Sequence, residues 1–189
     1  MDQDTPSPWV RRFVPLIRCG GRVLDLAAGA GRHTRLLLDM GFAVTAVDRD
    51  IARLRPLAGA RCDVRAMDLE AGLETGRETG APESALAPLG GFYDAVVVTN
   101  YLYRPLFAPI AAALAPGGVL IYETFAVGNE RFGRPRNPDF LLRAGELLEA
   151  FAALTIVAFE EGEVTQPRPA FIQRIAAVAG PLGRLPQAE

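Results

Sequence analysis

Short apolar runs and helix-period segments alternate along most of the chain. "RVLDLA" (Arg22–Ala27), "AVTAVD" (Ala43–Asp48), "CDVRAM" (Cys62–Met67), "YDAVVVTN" (Tyr93–Asn100) and "VLIYETF" (Val119–Phe125) are β-branched or continuously apolar over strand length. They predict strands covered on both faces. Between them, "RHTRLLLDM" and "PLFAPIAAALA" carry helical spacing, and a further helix is predicted over about Ile51–Leu57. Pro116-Gly117-Gly118 stops the helix before the fifth strand.

The last third changes pattern. "GELLEAFA" predicts a short helix, and "LTIVAFEEG" and "AFIQRIAAVAG" predict two strands with only a Pro-containing turn between them. A connection that short requires antiparallel pairing. The expected fold is α/β: a Rossmann-like, doubly wound, seven-stranded mixed sheet with a C-terminal antiparallel hairpin. Two stretches carry no clear period. Glu70–Gly91 is rich in Gly, Glu, Ala and Pro and reads as a crossover, and Ala126–Arg143 is polar and loop-like.

At 189 residues the chain suits a single domain, taken as 1–189. A formal net charge of -2 gives no support to a polyanionic partner. Every basic residue is Arg and none is Lys; His33 is the one histidine; Cys19 and Cys62 lie far apart. That inventory argues against a His/Cys metal centre and a disulfide framework. The first residues, "MDQDTPSPWVRRF", have no apolar core of a signal peptide, and no run reaches membrane-span length. A cytoplasmic location is the expectation.

Chemistry gathers at the strand ends. "VLDLAAGAGRHT" (Val23–Thr34) puts a Gly29-x-Gly31 turn directly after the first strand, where glycine lets backbone approach a ligand. The dinucleotide pattern G-x-G-x-x-G/A has a small residue where this chain has β-branched Thr34, which counts against NAD(P) or a flavin. A P-loop needs a lysine and is excluded. Asp25 lies inside the first strand, Asp48 ends the second and Asp68 ends the third. A carboxylate at the end of the second strand is placed to accept both hydroxyls of a ribose. A single strand-end acid means little, but three on neighbouring strands beside a glycine turn point to a nucleoside-bearing cofactor.

The series "DLAAGAG", "VTAVDRD", "RAMDLE", "YDAVVVTNYL", "LAPGGVLIYET" resembles the class I S-adenosylmethionine-dependent methyltransferases over roughly Arg22–Phe125. Ala27 stands where that family commonly has Gly. The resemblance implies S-adenosyl-L-methionine as cofactor and a set of cofactor residues. The backbone of Ala27, Ala28, Gly29 and Gly31 would cradle the methionine portion, while Asp25, a cofactor residue too, can accept from the turn's backbone or, through water, from a ligand's ammonium group. Asp48, with Arg49 beside it, would take the ribose; Asp68 and Leu69 would bracket the adenine. Asn100 would face both the methionine end and the substrate.

For the reaction itself, Asn100 and Tyr101 are the candidate catalytic residues, an aromatic face being suited to a sulfonium charge. Tyr103 is divided between site and core. His33 is expected to cap or pack rather than act as a base. Substrate should lie beyond the carboxyl ends of the strands. "NYLYRP" lacks the Asn-Pro-Pro-aromatic motif of amino-group methyltransferases acting on adenine or glutamine. The pattern more resembles small bacterial methyltransferases of small molecules. Arg131, Arg134 and Arg136 would suit an anionic substrate, or pair with Glu130 and Asp139 in a solvated loop. The alternatives are an RNA methyltransferase, an NAD(P)-dependent Rossmann oxidoreductase and a non-catalytic S-adenosylmethionine binder or assembly partner.

Overall fold

The computed structural model describes residues 5–71 and 86–181, apart from the side chain of Pro88. Most of the Glu70–Gly91 crossover lies outside the described residues. Seven strands form one sheet: β1 (Arg22–Leu26), β2 (Ala43–Asp48), β3 (Cys62–Ala66), β4 (Tyr93–Thr99), β5 (Leu114–Phe125), β6 (Thr155–Val164) and β7 (Ala170–Val178). Their spatial order is β3-β2-β1-β4-β5-β7-β6. The first five pair in parallel. β7 runs antiparallel between β5 and β6, as the short turn between the last two strands requires.

Alternate side chains of the central strands enter two cores. Leu24, Leu26, Val96, Val98, Leu120 and Tyr122 pack with Leu106, Ile110, Leu147 and Phe151 on one face. These contacts cover that face with α3 (Phe107–Ala112) and α4 (Glu146–Ala150). Val23, Ala46, Val97 and Ile121 pack with Trp9, Phe13 and Leu37 on the other. There the cover is α1 (Pro8–Phe13) and α2 (Arg32–Asp39). Burial on both faces explains why the middle strands read as unbroken apolar runs.

Three elements differ from expectation. The segment 51–57 is no α-helix but a turn ending in a 3-10 helix, Arg55–Leu57. Pro56 has no N–H to give the Ala52 carbonyl, so a second helical turn cannot close. The helix before the fifth strand stops at Ala112, and Leu114 already pairs with Tyr93; the Pro116-Gly117-Gly118 stretch is an excursion before pairing resumes at Ala95 with Val119. The N-terminal segment holds a helix, α1, that its polar residues concealed. The Ser7 hydroxyl caps it, accepting from the N–H groups of Trp9 and Val10. Trp9 is only 1% exposed, and its indole N–H donates to the Ile175 carbonyl at 3.2 Å.

Candidate functional site

The carboxyl ends of β1, β2, β3 and β4 lie side by side, so the turns that follow them share one edge of the sheet. The turn after β1 is built largely from left-handed backbone: Ala27 at φ 52°, Gly29 at 58° and Gly31 at 79°. Its two glycines serve different ends. A Cβ on Gly31 would stand 2.7 Å from a Leu57 methyl and 2.8 Å from one of Leu54. Gly31 therefore lets the 51–57 turn close onto α2. A Cβ on Gly29 would meet nothing within 4 Å, so the Gly29 backbone faces open space.

The acids secure this turn from two sides. Asp48 accepts from the Gly29 N–H at 2.7 Å through one oxygen and from the Asp50 N–H at 3.0 Å through the other. It is half-buried. A carboxylate offers about four acceptor positions, so Asp48 retains capacity for a diol while bracing the turn. Asp25 is buried at 1% exposure and receives the Thr34 hydroxyl at 2.6 Å. Burial raises its carboxyl to about 6, although the Thr34 hydroxyl favours the ionised form. Thr34, whose bulk counted against a dinucleotide, thus acts as the partner of Asp25. The side chains of Ala28 and Leu69 are each 8% exposed and belong to the two cores. Asp68, Arg49 and Asn100 are exposed at the edge, and Asp68 accepts from the Glu70 N–H at 3.0 Å.

Asn100 takes a left-handed φ of 55°, and its N–H donates to the Glu123 carbonyl at 2.9 Å. Asparagine tolerates that conformation better than most residues. Tyr101 is half-buried and its phenol donates to Glu70 at 3.3 Å. Burial, then the Glu70 charge, pushes that phenol well above the ordinary tyrosine value. Tyr103 packs partly into the core.

His33 is 2% exposed. Its Nε2 accepts the Ser7 N–H at 3.0 Å and its Nδ1 lies 3.3 Å from the Thr99 hydroxyl. Accepting at Nε2 assigns the ring proton to Nδ1. Burial, then the Arg32 charge, lowers the imidazole to about 3. A ring held neutral, with its Nε2 lone pair engaged, joins Ser7 to β4, which is a packing role. One group escaped sequence reasoning. Glu123 on β5 accepts the Ser7 hydroxyl at 2.8 Å and pairs with Arg174 at 3.2 Å. No local pattern links residues so far apart in the chain.

This sheet is that of the class I S-adenosylmethionine-dependent methyltransferase fold. TehB from Haemophilus influenzae is similar at TM-score 0.64 and 18% identity, over 84% of this chain and 57% of that one. A second similar structure is a Burkholderia thailandensis 1,6-didemethyltoxoflavin-N1-methyltransferase with 1,6-didemethyltoxoflavin and S-adenosylhomocysteine bound. It matches at TM-score 0.62 and 23% identity over 92% of this chain and 76% of that one. A curated relative, a ubiquinone biosynthesis O-methyltransferase of Caulobacter sp. (strain K31), is 32% identical over 110 residues. That match covers 56% of this chain and spans 41% of the relative's length. No family model matches the chain.

Proposed function

We propose that the chain is an S-adenosyl-L-methionine-dependent methyltransferase acting on a small molecule. The observation that carries this reading is Asp48, held by the Gly29 N–H at 2.7 Å beside a backbone face open to a ligand. The similar Burkholderia enzyme, crystallised with S-adenosylhomocysteine, supports the same cofactor. In this reading the turn from Ala27 to Gly31 approaches the methionine portion through backbone, as the open face at Gly29 permits. Asp48 orients the ribose, and exposed Asp68 stands at the adenine. The buried side chains of Asp25, Ala28 and Leu69 shape this wall from behind.

When bound, the cofactor supplies an already activated methyl group for in-line displacement. The protein's task is then alignment, which is worth on the order of 7–11 kcal/mol. The engaged lone pair of His33 and the raised phenol of Tyr101 favour an acceptor that needs no base, such as a thiolate or another soft nucleophile. Asn100 and the Tyr101 ring line the methyl end. The test is transfer of labelled methyl from S-adenosylmethionine into fractionated small molecules of a cell extract. His33→Gln should keep turnover on the labelled acceptor within about threefold. A loss of about 100-fold, typical of a removed general base, would contradict base-free transfer. Label entering only macromolecular RNA would contradict the small-molecule assignment.

A further inference from the structure

Beyond Asn100, at the end of β5, a groove of about 580 Å³ is lined by Phe125, Arg134, Pro135, Arg136, Asn137, Phe140 and Arg168. Phe125 lies two residues past Glu123, whose carbonyl receives the Asn100 N–H. The groove therefore opens on the same edge of the sheet as the candidate site. Its walls come from two distant parts of the chain: the loop after β5 and the β6–β7 turn. Three arginines, all exposed, line it.

The arginine loop divides into two parts. Arg131 pairs with Glu163 at 2.8 Å, and neither Glu130 nor Asp139 takes it. Arg134, Arg136 and Arg168 have no carboxylate partner among the described residues. Arg168 is stacked over the Phe125 ring at 5.7 Å. Phe140 is 51% exposed, an aromatic surface beside three unneutralised cations.

The walls are braced from behind. Asn129, 1% exposed, donates through its amide to the Pro135 carbonyl at 3.2 Å and accepts the Phe171 N–H at 3.2 Å. That fastens the loop to β7. Arg104 donates to the carbonyls of Asp139 and Leu141 at 2.9 Å while bound to buried Glu146. Arg134 and Arg136 flank Pro135, and Arg168 sits between Pro167 and Pro169. Proline fixes φ, which limits the backbone freedom of both walls.

We propose that this groove binds the anionic group of a small aromatic substrate, the guanidinium groups taking a carboxylate or phosphate and Phe140 contacting the ring. Guanidinium recognises such oxyanions bidentately and also stacks on aromatic planes. Calling the ligand a substrate rests on the methyltransferase reading; binding by the groove does not. Three arginines line the groove in a chain with net charge -2, which favours a compact anion over a nucleic-acid backbone.

Calorimetry on the full chain tests this with benzoate, phenyl phosphate, neutral benzamide and a short single-stranded oligouridine, alongside S-adenosylhomocysteine. At least one aromatic anion should bind saturably, at least about tenfold tighter than benzamide, and the stronger of the two identifies the preferred oxyanion. Arg136→Ala and Arg168→Ala should each weaken it about tenfold or more, the loss expected for a hydrogen bond to a charged group. Both variants should leave S-adenosylhomocysteine affinity and the melting temperature unchanged. Arg168→Lys should retain only part of the affinity, because it keeps the charge and loses the fork. The proposal is overturned if neither anion binds, if benzamide binds equally, if the variants change nothing, or if oligouridine binds tighter and is lost with the same arginines. Anion binding without S-adenosylhomocysteine binding would sink the methyltransferase reading and leave the groove standing.

Discussion

Asp25 and His33 are buried titratable groups within one short stretch, and their proton linkages oppose each other. Asp25 rises from an ordinary 3.8 to about 6. Between those values the folded protein holds a proton that the unfolded chain has released, so stability falls as pH rises through that window. His33 drops from 6.5 to about 3. There the unfolded chain binds a proton that the folded ring refuses, and stability falls as pH falls. Between about pH 4 and 6 the two slopes cancel. Removing either should unmask the other. Asp25→Asn should gain about 3 kcal/mol on its parent between pH 4 and pH 7, and His33→Gln should gain about 2 kcal/mol on going from pH 7.5 to pH 5. Urea unfolding across that range measures both, and curves parallel to the parent would contradict the assignments. At this scale the sequence revealed which residues were polar and out of place, because an acid inside an apolar strand is visible. It did not reveal their partners: Thr34 for Asp25 follows from the helical turn, but Ser7 and Thr99 for His33 depend on the tertiary fold.

Among the elements, the glycine turn separates stability from binding. Gly31→Ala adds left-handed strain and drives a methyl into Leu54 and Leu57, for about 2–3 kcal/mol of lost stability. Gly29→Ala has strain but no collision, so it should cost about 1 kcal/mol. It also places a methyl on the face proposed to receive the cofactor. Thermal melts with S-adenosylhomocysteine titration distinguish them. Gly31→Ala should lower the melting temperature more, and Gly29→Ala should weaken the ligand more; the reverse order would contradict the division. Strand identity was legible in β1, β2, β4 and β5 because burial on both faces leaves continuous apolar runs; β3, expected to be covered likewise, is instead exposed at Asp63, Arg65 and Ala66 because it is an edge strand of the sheet. Helix extent was less so. Pro56 broke a predicted helix, and α1 was hidden because Trp9, Val10 and Phe13 supply its apolar face among Pro, Ser and Arg.

Across the whole molecule, the turns after β1, β2 and β3 form the proposed cofactor wall, and the loop after β5 with the β6–β7 turn forms the arginine groove. Ser7, Glu123 and Arg174 connect the start of the N-terminal helix to β5 and β7, so Ser7 is seated beside the strand whose Glu123 carbonyl receives the Asn100 N–H. The alternation of runs and the short final turn were enough for a parallel sheet with an antiparallel tail; the order β3-β2-β1-β4-β5 came from the structure. The groove was only half legible. Arg134 and Arg136 stood out in a polar loop, but Arg168 lies more than 30 residues away and nothing in its own surroundings announces the pairing of walls. If Asp48 orients a nucleoside cofactor over the Gly29 turn, calorimetry of S-adenosylhomocysteine with the parent protein and with Asp48→Ala will distinguish the two. Saturable binding, weakened about 10- to 100-fold in the variant and absent for NAD, is the predicted result. No binding to the parent, or equal binding to both proteins, would contradict it.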